Sequence, residues 1–550
     1  MRIQNRQPEN LTARNPAISR QIRFVNACLF LIAASACVWT ACRNPQKADM
    51  RKLLPGEAII YLETNDVART LESVTANRAF RELADSKPDF SALGNMQIAV
   101  AVTGFEFSEE SSGLNFKPQF VAVAETRAWS WQTVSFAENQ LDNFVRKNFG
   151  EDAKLERSER NGGKFFNWTA NDNRQVFAFV QGSLIYFGTG AATIEKCLAV
   201  KRGEADSLVK NEFLSRAYSE NNLAFGYVSS AGVKKIADFA GVNVAVETTE
   251  ESGGRSFIAR VLPEIIQNTA REIVWTANTT ERGIEDVFSV SLNPEISAVV
   301  KETLATAEQS SAGLTEFLPP DFFSATRYNL RNPLNAWRSL LLMTAKNTDA
   351  LSGKLLIEFS DDLLEPYEIS GAENFLSRID SEIVTAQFDA EGEKSVVIVL
   401  IKDAENLKNS ISKEINFNLE AEKQAGADVY FSADKQTAAA FIENKLILGE
   451  SESVLKCLQA KQSGSNFTNT SKFQTSKFQN FTASKAVALT FARDVDSAER
   501  LAAVLAKKKI ENRKLAAFYT TETRITEKGI EREIVSDFGF IGTILAQMEK

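Results

Sequence analysis

Enzymes need nucleophiles, acid–base groups or metal ligands, and this chain is short of most of them. It has 550 residues and no histidine. That removes the commonest general base, the usual metal ligand and the base of the standard serine or cysteine triad. The cysteines are Cys28, Cys37, Cys42, Cys197 and Cys457. The first three sit together in one apolar stretch, and the last two stand alone. Two scattered thiols form neither a disulfide scaffold nor the clustered His and Cys set that zinc takes. Carboxylates are the remaining reactive groups. Asp361-Asp362, Glu109-Glu110 and Glu250-Glu251 are close pairs. Two acids flanking a sugar, one of them desolvated, are what glycoside hydrolysis requires. These pairs lie in loop-like or charged sequence, where the expected reading is solvated acids. No EF-hand spacing marks a calcium loop, so neither a metal nor a cofactor is expected.

Gly188-Thr189-Gly190 follows an apolar strand and opens a helix, which is the setting of a dinucleotide fingerprint. The corresponding turn later in the chain is Gly449-Glu450-Ser451-Glu452, whose acids suit a helix N-terminus but repel a phosphate. A plain strand-to-helix turn is therefore expected in both. Cys197 and Cys457 fall between apolar residues on helices and read as small core side chains. Trp129 and Trp131, two apart, would share a face of a strand. Burial at the edge of a core is the expected state, with an exposed contact for a sugar or a partner as the functional alternative. In Ser463–Thr482, rich in Asn, Ser, Thr and Gln, Phe467, Phe473, Phe478 and Phe481 interrupt the polarity. They are expected to pin a loop onto the domain, and Phe473 and Phe478 are the candidate contacts if it is exposed.

Several elements must position these residues. An opening strand at Ala58–Glu63 leads into helical segments over Asp66–Ser86, then strands at Gln97–Thr103 and Gln119–Glu125. Their alternating or continuous apolar character with β-branched residues is that of strands. A helix over Ser135–Asn148 precedes a meander with turns at Asn161-Gly162-Gly163 and Gln181-Gly182. The cysteine helix, a strand at Leu223–Val228, a helix at Ala231–Phe239 and a closing hairpin complete the plan. Runs of strands mixed with packed helices read as α+β.

The front of the chain is different in kind. Arg2, Arg6, Arg14, Arg20 and Arg23 precede the apolar run 24–42, against one acid, Glu9. A basic leader and a short apolar segment make a secretory signal, and the retained positive charge sends the following chain outward. The run ends at Trp39-Thr40-Ala41-Cys42. This resembles the lipobox of bacterial lipoproteins, and the resemblance implies a lipid on Cys42, with Cys37, after Ala34-Ser35-Ala36, as the alternative. Trp39 stands where that family prefers a branched aliphatic residue. An uncleaved signal anchor, because a span needs about 20 apolar residues and this run is near that limit, and a plain cleaved signal are the alternatives.

The chain also repeats itself. Leu184-Ile-Tyr-Phe-Gly188 and Ile194-Glu-Lys-Cys197-Leu198 recur as Lys445-Leu-Ile-Leu-Gly449 and Val454-Leu-Lys-Cys457-Leu458, a shift of 260 (457 − 197) for the cysteines. Thr280-Glu-Arg-Gly283-Ile-Glu285 recurs as Thr526-Glu-Lys-Gly529-Ile-Glu531, a shift of 246 (526 − 280). Leu54-Pro55-Gly56-Glu57 returns as Leu318-Pro319-Pro320-Asp321, a shift of 264 (318 − 54). Three matches in one order predict two homologous halves. Leu54-Pro55-Gly56-Glu57 through Tyr61-Leu62-Glu63, with the strand-Gly-helix at 184–198, resembles bacterial exported proteins of unknown function with duplicated α/β units that open on a Leu-Pro-acidic-strand motif. That resemblance implies no reaction and no catalytic residue.

The expected organisation is thus a signal and lipobox segment at 1–42, a tether at 43–52, a first α+β half at 53–307, a linker at 308–316 and a second α+β half at 317–550. Each half would hold a mostly antiparallel or mixed sheet packed with helices. Sixty-three basic against 71 acidic residues give a net charge of −8, and the pI is near 5.3, which argues against nucleic acid as the partner. The expected function is non-catalytic binding or scaffolding in the bacterial cell envelope, outside the cytoplasm. The partners would be the membrane, through the lipid anchor, and an envelope protein, peptide or glycan, for which a groove between the halves is one place. The alternatives are a carboxylate-dependent envelope hydrolase, and an assembly factor that holds partner polypeptides on an exposed apolar patch.

Overall fold

The computed structural model describes residues 47–77, 80–81, 88–110, 113–247, 264, 266–307, 313–348, 350–358, 360, 364, 367–390, 392–469, 486–494, 500–501, 504–505 and 517–546. The chain divides into two compact units. One comprises the described residues of 1–225, 499–511 and 540–550, the other those of 226–498 and 512–539.

In the first unit the opening strand is β1 (Ile60–Thr64), followed by helix α1 (Val67–Thr75), whose N-cap Asp66 accepts from the Arg69 amide at 3.0 Å. β2 (Gln97–Glu110) and β3 (Gly113–Glu125) form a hairpin, longer at its turn than the expected strands. The expected helix over 135–148 starts five residues earlier. It is realised as α2 (Ser130–Phe136), a π-helical turn at Ala137–Leu141, and α3 (Asp142–Phe149). The meander is β4 (Lys154–Arg160), β5 (Gly163–Thr169), β6 (Gln175–Gln181) and β7 (Leu184–Gly188), and it leads into the cysteine helix α4 (Ala191–Lys201) and α5 (Glu212–Ala217). All pairings are antiparallel, in the order β1-β2-β3-β7-β6-β5-β4. β3 and β7 are buried along their shared length, which is why they read as continuous apolar runs.

Strand β8 (Ala224–Val228) runs across the boundary between the units, and α6 (Ser230–Glu247) follows it. The second unit holds the hairpin β9 (Ala270–Thr280) and β10 (Gly283–Leu292), then α7 (Pro294–Thr303) and β11 (Ser324–Asn329). Next come α8 (Pro333–Lys346), α9 (Ala350–Glu358) and α10 (Ala372–Arg378). Strands β12 (Ile379–Gln387) and β13 (Ser395–Ile401), helix α11 (Ala404–Leu407), and β14 (Glu422–Gln424), β15 (Ala427–Phe431), β16 (Thr437–Ile442) and β17 (Lys445–Glu450) follow. Helix α12 (Ser451–Ser463) precedes β18 (Ala488–Asp494), β19 (Ala517–Thr526) and β20 (Gly529–Ser536). The sheet runs β9-β10-β20-β19-β18-β11-β12-β13-β17-β16-β15-β14, antiparallel throughout. Its stretch β11-β12-β13-β17-β16-β15-β14 has the same connection order as β1-β2-β3-β7-β6-β5-β4 in the first unit.

Both faces of this sheet are covered. Val396, Ile398 and Ile447 join Val454, Cys457 and Leu458 of α12 in one core. Their neighbours Val397, Val399, Leu446 and Leu448 face the other way, onto Phe375 and Leu376 of α10. Successive strand residues alternate faces, so a sheet buried on both sides needs unbroken apolar strands, and Ser395–Ile401 is one. The fold is therefore mixed helix and antiparallel sheet, of the α+β class.

The two closing hairpins are built alike. The Thr280 hydroxyl donates to the Gly283 carbonyl at 3.0 Å and accepts from the Arg282 amide at 3.2 Å. The Thr526 hydroxyl does the same with Gly529 at 3.2 Å and Lys528 at 3.4 Å. Gly283 and Gly529 have φ of 129° and 150°, which side chains disfavour. β10 then pairs with β20, matching Ile284 with Ser536, Val287 with Glu533 and Val290 with Ile530. This pairing groups hairpin 270–292 with the second unit.

Candidate functional site

The residues that meet solvent most unexpectedly are Trp129 and Trp131, which are 57% and 62% exposed. The expected strand face and core-edge burial are both corrected here. β3 ends at Glu125, and Trp129 is the N-cap of α2 with Trp131 in its first turn. The chain leaves the sheet through Thr126-Arg127-Ala128. The Thr126 hydroxyl donates to the Ser183 carbonyl at 2.9 Å and accepts from the Ala128 amide at 3.2 Å. Arg127 takes a left-handed φ of 53°, and its amide donates to the Glu125 carboxylate at 2.8 Å. The Trp129 amide donates to the Gln132 side chain at 2.9 Å, closing the first turn of the helix. Gln132 and Thr133 are buried, so the helix seats its polar side chains inward and leaves both indoles outward. Burying Gln132 and Thr133 fixes the phase of this helix and puts Trp131 on its outer side. Trp129 is exposed as the extended N-cap, with φ −65° and ψ 148°, outside the helical phase. That phase is not visible from the Trp-x-Trp spacing alone.

Beneath this ledge runs a buried polar network. Tyr61, Glu63 and Asn65 lie on the inner face of β1 and just beyond it. The Tyr61 hydroxyl donates to one oxygen of Glu63 at 2.5 Å, and the Tyr218 hydroxyl donates to the other at 3.2 Å. Gln97 bridges several parts of it. Its amide nitrogen donates to the Ala48 carbonyl at 2.9 Å and to Asn65 at 3.3 Å. Its oxygen accepts from the Ala48 amide at 2.9 Å and from the Arg127 guanidinium at 3.5 Å. Arg51 lies 3.6 Å over the ring of Tyr218 and is held by Asp49 at 2.9 Å. Burial raises the Glu63 carboxyl from 4.5 to about 7, although both tyrosines and Arg51 favour its charged form. Burial, and Glu63 beside it, push the Tyr61 phenol well above its ordinary range. A carboxyl poised near neutrality is a common mark of a working site. Here, however, both oxygens are taken by phenols of the same unit, and the group is a structural hub. The period-two run Tyr61-x-Glu63-x-Asn65, with an acid on the buried face, is the sequence signal that would have found it.

The second unit carries a comparable polar floor with different charges. Arg327 of β11 pairs with Glu382 of β12 at 3.0 Å, both almost fully buried. Asn329 lies opposite Glu382 in the register, as Asn65, by extension of the β1–β2 register, lies opposite Gln97. At a shift of 264 (327 − 63), Glu63 corresponds to Arg327, and Asn65 to Asn329 (329 − 65).

The residues that could do chemistry have other employment. Cys197 and Cys457 are fully buried, and burial pushes the Cys197 thiol up to about 12 and Cys457 higher still. The Thr189 hydroxyl donates to the Pro118 carbonyl at 3.0 Å, so the Gly188-Thr189-Gly190 turn is tied to β3. Glu450 caps α12, accepting from the Ser453 amide at 2.8 Å. Of the other buried acids, Asp286 accepts from Trp275 at 2.7 Å and Glu125 from Arg127. Among the described residues no cluster of three or more Cys, Asp or Glu could hold a metal ion, and no helix is long and apolar enough to cross a membrane. Phe467 is buried against Phe322 and Phe491, with ring centroids 4.9 and 4.8 Å away. Cys28, Cys37, Cys42, Asp361, Asp362, Glu250, Glu251, Phe473, Phe478 and Phe481 lie outside the described residues, as do the side chains of Glu109 and Glu110. In the second unit an apolar groove of about 440 Å³ lies between α7 and α8, lined by Ile296, Val299, Leu342 and Met343, with Val299 and Leu342 exposed.

Comparison with protein-family models, with curated proteins and with solved structures finds no match to this chain.

Proposed function

We propose that this chain is a non-catalytic, membrane-tethered protein of the bacterial cell envelope, built from two homologous α+β halves and acting in binding or scaffolding. The observation that carries the binding role is the Trp129–Trp131 ledge. Two indoles kept in water by a hydrogen-bonded turn are costly to the folded state and useful to a contact. The engagement of Glu63, Glu125, Asp286 and Glu382 by donors of the same unit speaks for structure over carboxylate chemistry. Export and the lipid anchor rest on the basic leader, the apolar run and Cys42.

Duplication is supported by four features. The strand order of β1–β7 returns in β11–β17, the two Thr-x-x-Gly turns share their hydrogen bonds, and the buried positions 63 and 65 correspond to 327 and 329. The fourth is the register of β10 on β20. Positions 284 and 290 correspond to 530 and 536 at the repeat shift of 246, and Ile284 pairs with Ser536 while Val290 pairs with Ile530. Exchanging the repeats maps this pairing onto itself, as in an isologous dimer contact.

The test is membrane fractionation with N-terminal peptide mass, on the wild type and on Cys42→Ala. The expected result is a lipidated Cys42 at the mature N-terminus and a variant that is released or left unprocessed. A mature protein that keeps residues 1–41 would replace the lipid by a transmembrane anchor.

A further inference from the structure

We propose that the Trp129–Trp131 ledge docks on the surface of the lipid bilayer to which the chain is tethered, so that the first unit is held against the membrane by two contacts rather than one. This rests on the membrane-tethered reading above. The argument is one of reach and rigidity. Five residues lie between Cys42 and Ala48, and the six steps span at most about 20 Å when extended. Ala48 is fixed at the far end of that span. Both its amide and its carbonyl are bonded to the Gln97 side chain at 2.9 Å. The arm beyond it is also held. Met50 and Leu54 are fully buried, and Arg51 is seated on Tyr218. The same Gln97 oxygen that receives the Ala48 amide receives the guanidinium of Arg127, two residues before Trp129. The ledge and the tether's end are therefore joined through one side chain, and a lipid on Cys42 confines both to the neighbourhood of the headgroups.

The ledge has the chemistry for that place. Indoles combine an apolar body with one N–H donor and settle where acyl chains meet headgroups. Their presentation needs no rearrangement, because the turn before them and the helix beneath them are already closed by hydrogen bonds. Lys47 and Lys52 on the arm are exposed, and Asp49 beside them pairs with Arg51 at 2.9 Å and with Lys52 at 3.9 Å. The arm, with Lys47, Arg51 and Lys52 against Asp49, carries net positive charge, which anionic headgroups attract.

The experiment uses the full-length protein, purified from membranes and reconstituted in phosphatidylcholine vesicles whose acyl chains carry bromine, which quenches indoles that enter the bilayer. The wild type is compared with the Trp129→Ala, Trp131→Ala double variant. Both sites are exposed, so the variant is expected to keep its circular dichroism and melting midpoint. The expected result is quenching in the wild type that is largely lost in the double variant. Equal quenching in the two proteins would overturn the docking and leave the ledge to a protein or glycan partner. The N-terminal peptide mass of the same preparations judges the tether separately. A lipidated Cys42 with no quenching difference sinks the docking alone. A retained leader sinks the lipid assignment alone, since Trp39 is then common to both proteins and their difference still reports on the ledge.

Discussion

Glu63 is the residue at which burial and function pull in different directions. Its carboxyl is held between two phenols and lifted from 4.5 to about 7 by loss of water. A carboxyl raised in the folded state binds its proton more tightly there than in the unfolded chain. Its contribution to stability is therefore complete below about pH 4.5 and is lost as pH rises through about 7. A shift of that size corresponds to about 3 kcal/mol between the two ends of the window. Glu63→Gln keeps the shape and removes the titration. Melting midpoints should match the wild type near pH 4.5 and exceed it near pH 8. A wild-type midpoint that is flat over this window would show that Glu63 stays ionised and paired.

Elements in this protein approach one another closely enough to exclude side chains at chosen points. Gly449, next to last in β17, has φ of 146°, and a Cβ there would overlap the Ser395 carbonyl of β13. Gly188, the last residue of β7, packs in the same way against the Phe120 carbonyl of β3. The glycine that reads in sequence as a turn residue is thus the point where two central strands touch, just before each cysteine helix. Gly449→Ala should destabilise the protein by about 1–3 kcal/mol, with β13 and β17 forced apart. Chemical denaturation measures this, and an unchanged midpoint would mean that the strands yield freely. The buried Arg327–Glu382 pair belongs to the same scale. Such pairs repay their desolvation only when both partners remain, so the pair serves to fix the β11–β12 register more than to add stability.

At the scale of the whole molecule, the pairing of β10 with β20 is the device that joins the two closing hairpins. Residues 284–291 meet 529–536 in an unbroken register, and the first hairpin is drawn into the second unit by it. If the halves descend from one ancestor that paired with itself, the chain should tolerate a cut between them. Pieces divided within 308–313 and expressed together are expected to co-purify. Recovery of each piece alone and soluble would show that β10 and β20 do not need one another. The cut spares both hairpins, so failure to associate could not be put down to a broken turn.

The order of elements, the α+β class and the hairpin turns were legible in the sequence because each rests on local physics. Period-two and continuous apolar runs mark strands, and Thr-Glu-Arg-Gly or Thr-Glu-Lys-Gly closes a tight loop. Cysteine between apolar neighbours on a helix has nowhere to go but inward, and Cys197 and Cys457 are both buried. Tertiary structure decided what depends on partners far along the chain. Trp131 faces water because Gln132 and Thr133 are the side chains that fit beneath α2, and Trp129 because the chain is still extended at the N-cap. Glu63 became a hub only when Tyr218, 155 residues away, closed over it. The grouping of residues 270–292 with the second unit follows from hydrogen bonds to β20, which no local pattern encodes.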